Sequence, residues 1–334
     1  MRRIGCLCLI ILCLFQAESP LSGNTQKVCY SNVGLGPLNM RGQSPFQILR
    51  LSLTPESPTT LAKGHFNLLS VATWTNRWAQ ADNRYTVDME VLRFSETIKY
   101  ALTDKVVFGL EVPFCWRGGG IMDGLIEGFH SIFGLGQMGR TDFPRNRYLI
   151  ETYPDEERRF NDNPGVGIED IVLRAEYRLT CGTDILPATS VFGYVKLPTG
   201  NEHELYGTSG VDFGGSLALS KGITRDFYLY LNGGYFYYGR DRILGIALKT
   251  FQTSALLGLE YRVDSRWSVT AQYLFNTAAT SELKDFNAPT HELIAGFKKA
   301  ISDRYIFEFG LIENIIEFRN SADFGFHGGL NIRI

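Results

Sequence analysis

The chain has 334 residues, 44% hydrophobic and 20% charged, with 33 basic residues against 35 acidic ones and a net charge of -2. An aromatic content of 13% excludes a disordered chain, and the near-neutral balance excludes a polybasic nucleic-acid binder. Thirty-five glycines against 12 prolines, with a mean hydropathy of -0.06, exclude collagen and a bundle of apolar membrane helices.

Arg2 and Arg3 precede an apolar run from Ile4 to Phe15. That run is too short to span a bilayer and has the form of a signal-peptide core, so residues 1–19 are assigned as a signal peptide removed on export. Leu12 before Cys13 does not suit a lipid-attachment site. Residues 20–63 form an N-terminal segment, periplasmic or lumenal, in which Gly36 to Gln47 is an extended stretch that either enters a lumen or remains a periplasmic tail. Beyond the leader stand Cys29, Cys115 and Cys181, at spacings that suit neither a zinc ribbon nor a redox C-x-x-C motif. One disulfide or three buried thiols are both open.

From residue 64 to 334 polar and apolar residues alternate with the period of two that marks strands with one apolar face. Trp267, Val269, Ala271 and Tyr273 alternate with Ser268, Thr270 and Gln272, and Phe324, Phe326, Leu330 and Ile332 alternate with Asp323, His327, Asn331 and Arg333. Twelve such runs begin near residues 65, 86, 105, 168, 187, 210, 226, 250, 266, 291, 304 and 322. Short turns at 103–105, 182–184, 224–226, 264–266 and 302–304 alternate with longer polar loops. The fold class this predicts is all-β, an antiparallel transmembrane β-barrel of about 12 strands with short periplasmic turns and long outer loops. The run Asp88, Glu90, Leu92, Arg93, Phe94, Glu96 breaks phase, and a β-bulge is expected near Leu92.

A lipid face must be apolar, because Lys or Arg at the bilayer midplane costs roughly 2–4 kcal/mol, whereas a wet lumen tolerates charge. Alternation therefore assigns Glu111, Arg117, Asp170, Arg174, Glu176, Asp212, Glu260, Glu292, Glu308, Asp323 and His327 to the lumen as candidates for a constriction. Acids and bases are mixed, so no ion preference emerges. In the longest connection, 117–165, Ile121, Leu125, Phe129 and Phe133 recur at helical spacing. This loop is expected to fold inward as a plug, with the membrane interface and the barrel mouth as alternatives, and Asp123, Glu127, Phe129, His130 and Arg140 are its plug candidates.

Gly134 to Gly139 fits G-x-G-x-x-G but follows a helical stretch instead of a strand, and is set aside. The five histidines define no metal spacing, and neither a metal nor a cofactor is expected. Three blocks carry a resemblance: Gly36-Pro-Leu with Gln43 to Arg50, Asp123 to Gly134 with Gly139-Arg140, and Gly310 to Leu330. Together they resemble the bacterial outer-membrane barrel family catalogued as protein of unknown function 3187, over about residue 34 to the C-terminus. Arg319 and Ala322 depart from the Asp and Pro expected in the last block. Lys196-Leu-Pro-Thr-Gly200 is also similar to barrels associated with aromatic-degradation transport. The resemblance implies an exported outer-membrane barrel and no particular reaction.

The resulting expectation is a narrow or plugged, porin-like channel for small solutes in the outer membrane of a Gram-negative-type bacterium. Its expected partners are outer-membrane lipid, the barrel-assembly machinery acting on the C-terminal strand that ends at Ile334, and a small solute, with no nucleic acid. An outer-membrane lipid hydrolase is the alternative, using His130 with Asp123 and Glu127, or His327 beside Glu313 and Asn314, although no paired serine is legible. A structural or adhesive barrel is the second alternative.

Overall fold

The alternating runs become twelve antiparallel strands in a computed structural model that describes residues 29, 32–134, 136–137, 139–153, 159–161, 163–316 and 319–334. They are β1 (Phe66–Ala81), β2 (Tyr85–Ala101), β3 (Val106–Gly118), β4 (Ile171–Thr180), β5 (Ala188–Leu197) and β6 (Asp212–Gly222). The circuit continues with β7 (Phe227–Tyr238), β8 (Phe251–Arg262), β9 (Trp267–Asn276), β10 (Thr290–Ala300), β11 (Tyr305–Asn314) and β12 (Phe324–Arg333). Each pairs with its sequence neighbour, and β12 returns to β1 with Asn67 opposite Arg333 and Asn76 opposite Phe324. Closure satisfies the ladder hydrogen bonds of both edges, which an apolar solvent demands. The expected strand starts lie within about three residues of those observed. The signal peptide expected over 1–19 lies outside the described residues.

Face assignment follows from one pair of rungs. Thr73 and His327 point inward and are hydrogen-bonded at 3.1 Å, while the next rung, Trp74 with Phe326, points outward. Outward positions such as Phe94, Phe108, Leu110, Leu217, Leu257 and Leu259 are exposed and apolar, a lipid-facing band. At the short-turn end this band closes in aromatic pairs: Phe66 with Tyr100, Phe227 with Tyr261 and Trp267 with Phe297, at 4.7, 4.8 and 5.4 Å between ring centroids. The recurring turns share one device. Thr103, Thr224, Asp264 and Ser302 each accept the backbone N–H groups two and three residues ahead, the side-chain mimicry that makes such residues turn formers.

The bulge expected near Leu92 is absent: β2 pairs residue for residue with β1 throughout and with β3 from Glu90 to Ala101. The phase break has another cause. Asp88, Glu90 and Glu96 all sit on the outer face; Ser70 donates to Glu96 at 2.9 Å, and Glu90 accepts Trp74 Nε1 at 2.9 Å and the Met122 N–H. The ladder irregularity falls instead between Arg178 and Thr180.

The long loop is also corrected. Its helix α1 (Asp123–Phe133) packs on the outside of the wall, with Met122 and Ile126 seated on Trp74, Phe324 and Phe326. The buried stripe is therefore Met122 and Ile126, while Ile121 and Leu125 of the expected stripe are exposed. Two forces hold the loop there: apolar burial against the lipid-facing band, and an ion cluster in which Arg140 meets Asp123 at 2.5 Å, Asn76 at 2.8 Å and Asp323. Asp323, expected in the lumen, belongs to this outer cluster. The inward route is closed to the loop because another segment occupies it.

Candidate functional site

The N-terminal segment fills the lumen. Its start is fixed at the short-turn end, where Cys29 is disulfide-bonded to Cys181 in the turn after β4, and Asn32 contacts the same turn at 3.2 Å. From there residues 33–43 ascend along β7 to β11, residues 44–50 turn at the long-loop end, and residues 51–63 descend along β4 to β7 into β1. An extended strand-like segment without a sheet partner leaves its N–H groups needing acceptors, and the wall supplies them.

Five of the carboxylates assigned to the lumen accept plug amides directly. Glu260 takes Leu35 at 3.1 Å and Gly36 at 3.2 Å, Glu308 takes Asn39 at 3.0 Å, and Glu292 takes Gln43 at 2.8 Å. On the descending limb Asp212 takes Leu51 at 3.1 Å and Glu176 takes Thr59 at 2.7 Å. Amide side chains do the same work in both directions. Gln272 brackets Leu38 with bonds of 3.0 and 3.1 Å, and Asn232 brackets Glu56 with bonds of 2.7 and 3.0 Å. Hydrogen bonds to ionised acceptors are about twice as strong as neutral ones, so the backbone of the plug, and not only its side chains, ties it to the wall.

Close approach is built into the sequence of the plug. Gly34 has φ +53°, and a Cβ there would stand 2.6 Å from both Glu260 Oε2 and the Tyr230 hydroxyl. Leu38, fully buried, fits a notch left by Gly296 and Gly310 on the inner face of β10 and β11. Around it Met40, Leu51 and Leu53 pack against wall aromatics that include Tyr194, Tyr230, Phe236 and Tyr238. At the tip Arg41 Nη2 clasps the carbonyls of Gln47 and Arg50 at 2.9 and 2.6 Å, and Arg50 reaches the carbonyls of Lys249 and Ala279 at 2.7 and 2.8 Å. Phe46, Ile48 and Leu49 then close the long-loop mouth in an apolar cluster with Met89, Leu283 and Phe286.

The remaining inner charges pair off. Arg93 bridges Glu111 at 2.7 Å and Glu169 at 2.6 Å, Lys196 joins Asp170 and Asp212, and Glu308 holds Lys298 at 2.7 Å and His327 at 2.8 Å. Glu56 of the plug is the partner of Arg174 and, at 3.0 Å, of Lys99. Arg117 donates Nη1 to the Glu204 carbonyl at 3.3 Å under the Tyr206 ring. Sequence reasoning missed Glu56, Lys99, Arg93, Glu169, Lys196 and Lys298. Inward parity on strands already located marks Arg93, Lys99, Lys196 and Lys298; Glu56 carried no such signal.

The loop candidates are not brought into the lumen. Asp123 and Arg140 pair with each other, Glu127 pairs with Arg145 on the surface, His130 is half-buried in α1, and the Phe129 side chain lies outside the described residues. His327 is enclosed between Thr73 and Glu308, away from Glu313 on the outer face. Among the described residues no cluster of His, Cys, Asp or Glu has the makings of a metal site. What the arrangement offers is a sealed passage: a cavity of about 420 Å³ at the short-turn end, lined by both plug limbs and by Lys99, Arg262, Lys298 and Arg333, and above it the plug.

The fold has solved counterparts. The COG4313 outer membrane channel from Pseudomonas putida F1 is similar with a TM-score of 0.56 and 14% identity, covering 85% of this chain and 100% of its own. The NanC porin follows at 0.46 and 7%, over 80% of this chain and 100% of its own. The Pseudomonas putida toluene transporter TodX follows at 0.39 and 12%, over 89% and 98%. No curated protein matches the chain. The residues that resembled a known barrel family are part of a match extending over 20–334, and the chain belongs to the family described as Protein of unknown function (DUF3187).

Proposed function

We propose that this protein is an outer-membrane channel for small solutes whose resting state is closed by its own N-terminal segment, with the short turns in the periplasm and the long loops outside. The observation that carries the reading is the way the plug is held. A segment meant only to complete a core would pack by apolar contact alone, whereas this one, beside its apolar contacts, also rests on wall carboxylates and amides that water satisfies equally well once it leaves. The cavity at the short-turn end, lined in part by charged side chains, gives the segment room to begin to move toward that rim. A leader removed on export and recognition of β12 by the barrel-assembly machinery complete the proposal. The similarity in fold to an outer-membrane channel supports it.

The test is single-channel recording of the refolded mature chain beside a variant in which residues 37–58 are replaced by a short Gly-Ser linker. Both must first show the SDS-resistant, heat-modifiable migration of a folded barrel. Rare or small openings in the full chain and steady, wider ones in the variant are expected. Closed bilayers with both folded proteins would sink the channel reading.

A further inference from the structure

Arg117 projects from the inner face of β3 into the apolar cluster at the long-loop mouth, where only 2% of it is exposed. Its Nη1 is used by Glu204, and one face of the guanidinium is covered by Tyr206, 4.7 Å from the ring centroid. Nε and Nη2, the two groups that lie side by side along one edge, have no oxygen or nitrogen acceptor among the described residues, and the guanidinium has only the Cys115 thiol, a weak acceptor, beside it. That edge is the fork that binds a carboxylate through two parallel bonds. With no stronger acceptor than a thiol the fork is under-satisfied at a depth where that is costly, and buried donors in native proteins are almost always satisfied. The groups that face it electrostatically are the Cys115 thiol, Glu169, Tyr148, Tyr206 and Arg77. Glu169 spends one oxygen on Arg93, and Arg77 spends its own fork on Gln43 of the plug.

Beside Arg117 lies a void of about 40 Å³ in which it is the single charged lining residue. The rest of the lining is apolar apart from Thr152: Phe46 and Leu49 come from the plug tip, Met89 from β2, and Ile246, Leu283 and Phe286 from the mouth loops. We infer that this mouth is a binding site for an amphiphilic carboxylate, with its head on the Nε and Nη2 edge of Arg117 and a short acyl body between the plug tip and the mouth loops. The inference rests on the channel reading and names its cargo class. The void accommodates the head and little more, so the body enters by displacing Phe46 and Leu49. Ligand binding at the outer mouth thereby loosens the tip of the plug, and Cys115, buried in the same cluster and the free cysteine among the described residues, becomes accessible as it does so.

The experiment uses the mature chain in amphipol, titrated calorimetrically with octanoate and with octan-1-ol. Octanoate is expected to saturate one site, with Arg117→Gln weakening it by roughly tenfold or more and Arg117→Lys, which keeps the charge and loses the fork, weakening it by several-fold. Octan-1-ol binding is expected to be the same in all three proteins. Octanoate affinity unchanged by Arg117→Gln overturns the proposal. If that variant fails to fold, Ile246→Trp, which fills the apolar half and leaves Arg117 intact, decides instead: undiminished octanoate binding overturns it. N-ethylmaleimide labelling of Cys115 should accelerate with octanoate, and an unchanged rate overturns the displacement of the tip. Arg117-dependent binding in a barrel that never conducts would leave the site standing and remove the channel, whereas conduction without such binding would do the reverse.

Discussion

Replacing Glu260 by Gln is the sharpest perturbation of the plug. The carboxylate is fully buried and accepts Leu35 N and Gly36 N, with the Tyr230 hydroxyl within bonding reach of it and of the Val33 carbonyl at 2.7 Å. Gln keeps the shape and one acceptor oxygen but loses the charge. Bonds to ionised groups contribute about 1.5–3 kcal/mol each against about 1 for neutral ones, so the loss across two amides is about 1–4 kcal/mol. At 1.4 kcal/mol per decade, the opening of this part of the plug should become roughly 5 to 700 times more populated. Among the described residues no cation forms an ion pair with Glu260, so the barrel wall itself loses nothing comparable. Hydrogen-exchange mass spectrometry reads this directly: protection in a peptide covering 32–40 should fall by that factor while peptides of β7 and β8 keep theirs. Equal protection in both proteins would refute the claim that carboxylate–amide bonds hold the plug.

Other perturbations separate the remaining contributions. Gly34→Ala places a Cβ against Glu260 and Tyr230 in a left-handed backbone and should mimic the Glu260 variant in the same exchange experiment. Leu38→Ala empties the notch at Gly296 and Gly310 and should cost about 2–5 kcal/mol, visible as faster exchange at 36–42 and a lower temperature of heat modification. Arg93→Met leaves Glu111 and Glu169 buried without the arginine that bridges them; a destabilisation of about 3–5 kcal/mol should appear as a lower urea midpoint, and an unchanged midpoint would mean that the triad is neutral. Cys29→Ser frees the start of the ascending limb, so Cys181 should label with a maleimide without reduction and residues 32–36 should exchange faster than in the parent.

The wall was legible because a barrel repeats one physical rule along its length. Apolar outward and polar inward positions on Ile171–Thr180 or Trp267–Asn276 can be read two residues at a time, and Thr103, Asp264 and Ser302 announce their turns by their own side-chain chemistry. The occupant of the lumen was not legible in the same way. Residues 33–62 have no period, because each hydrogen-bonds to whatever wall residue it passes, and that pairing depends on contacts such as Gly36 with Glu260 that lie 224 positions apart. The long apolar loop was misplaced for a related reason. Amphipathicity shows that α1 has a face to bury but not whether a lumen or an outer wall receives it, and the phase break at Asp88 and Glu90 was the unread sign that something polar would cover that wall. Asp323 was likewise assigned by parity one residue beyond the strand, where parity no longer governs.

The bond between Cys29 and Cys181 changes what kind of object the plug is. With its other end continuing into β1, the segment is a bight, tied twice to the same rim, and has no free end to pull. It cannot be threaded through a finished barrel or lost into the medium; it moves only as a doubled cord toward the rim that holds it. Assembly inherits the same restriction. Cys181 follows β4, so the knot can be tied once four strands have been delivered, and if it is tied before closure the later eight must be laid around a cord already in place.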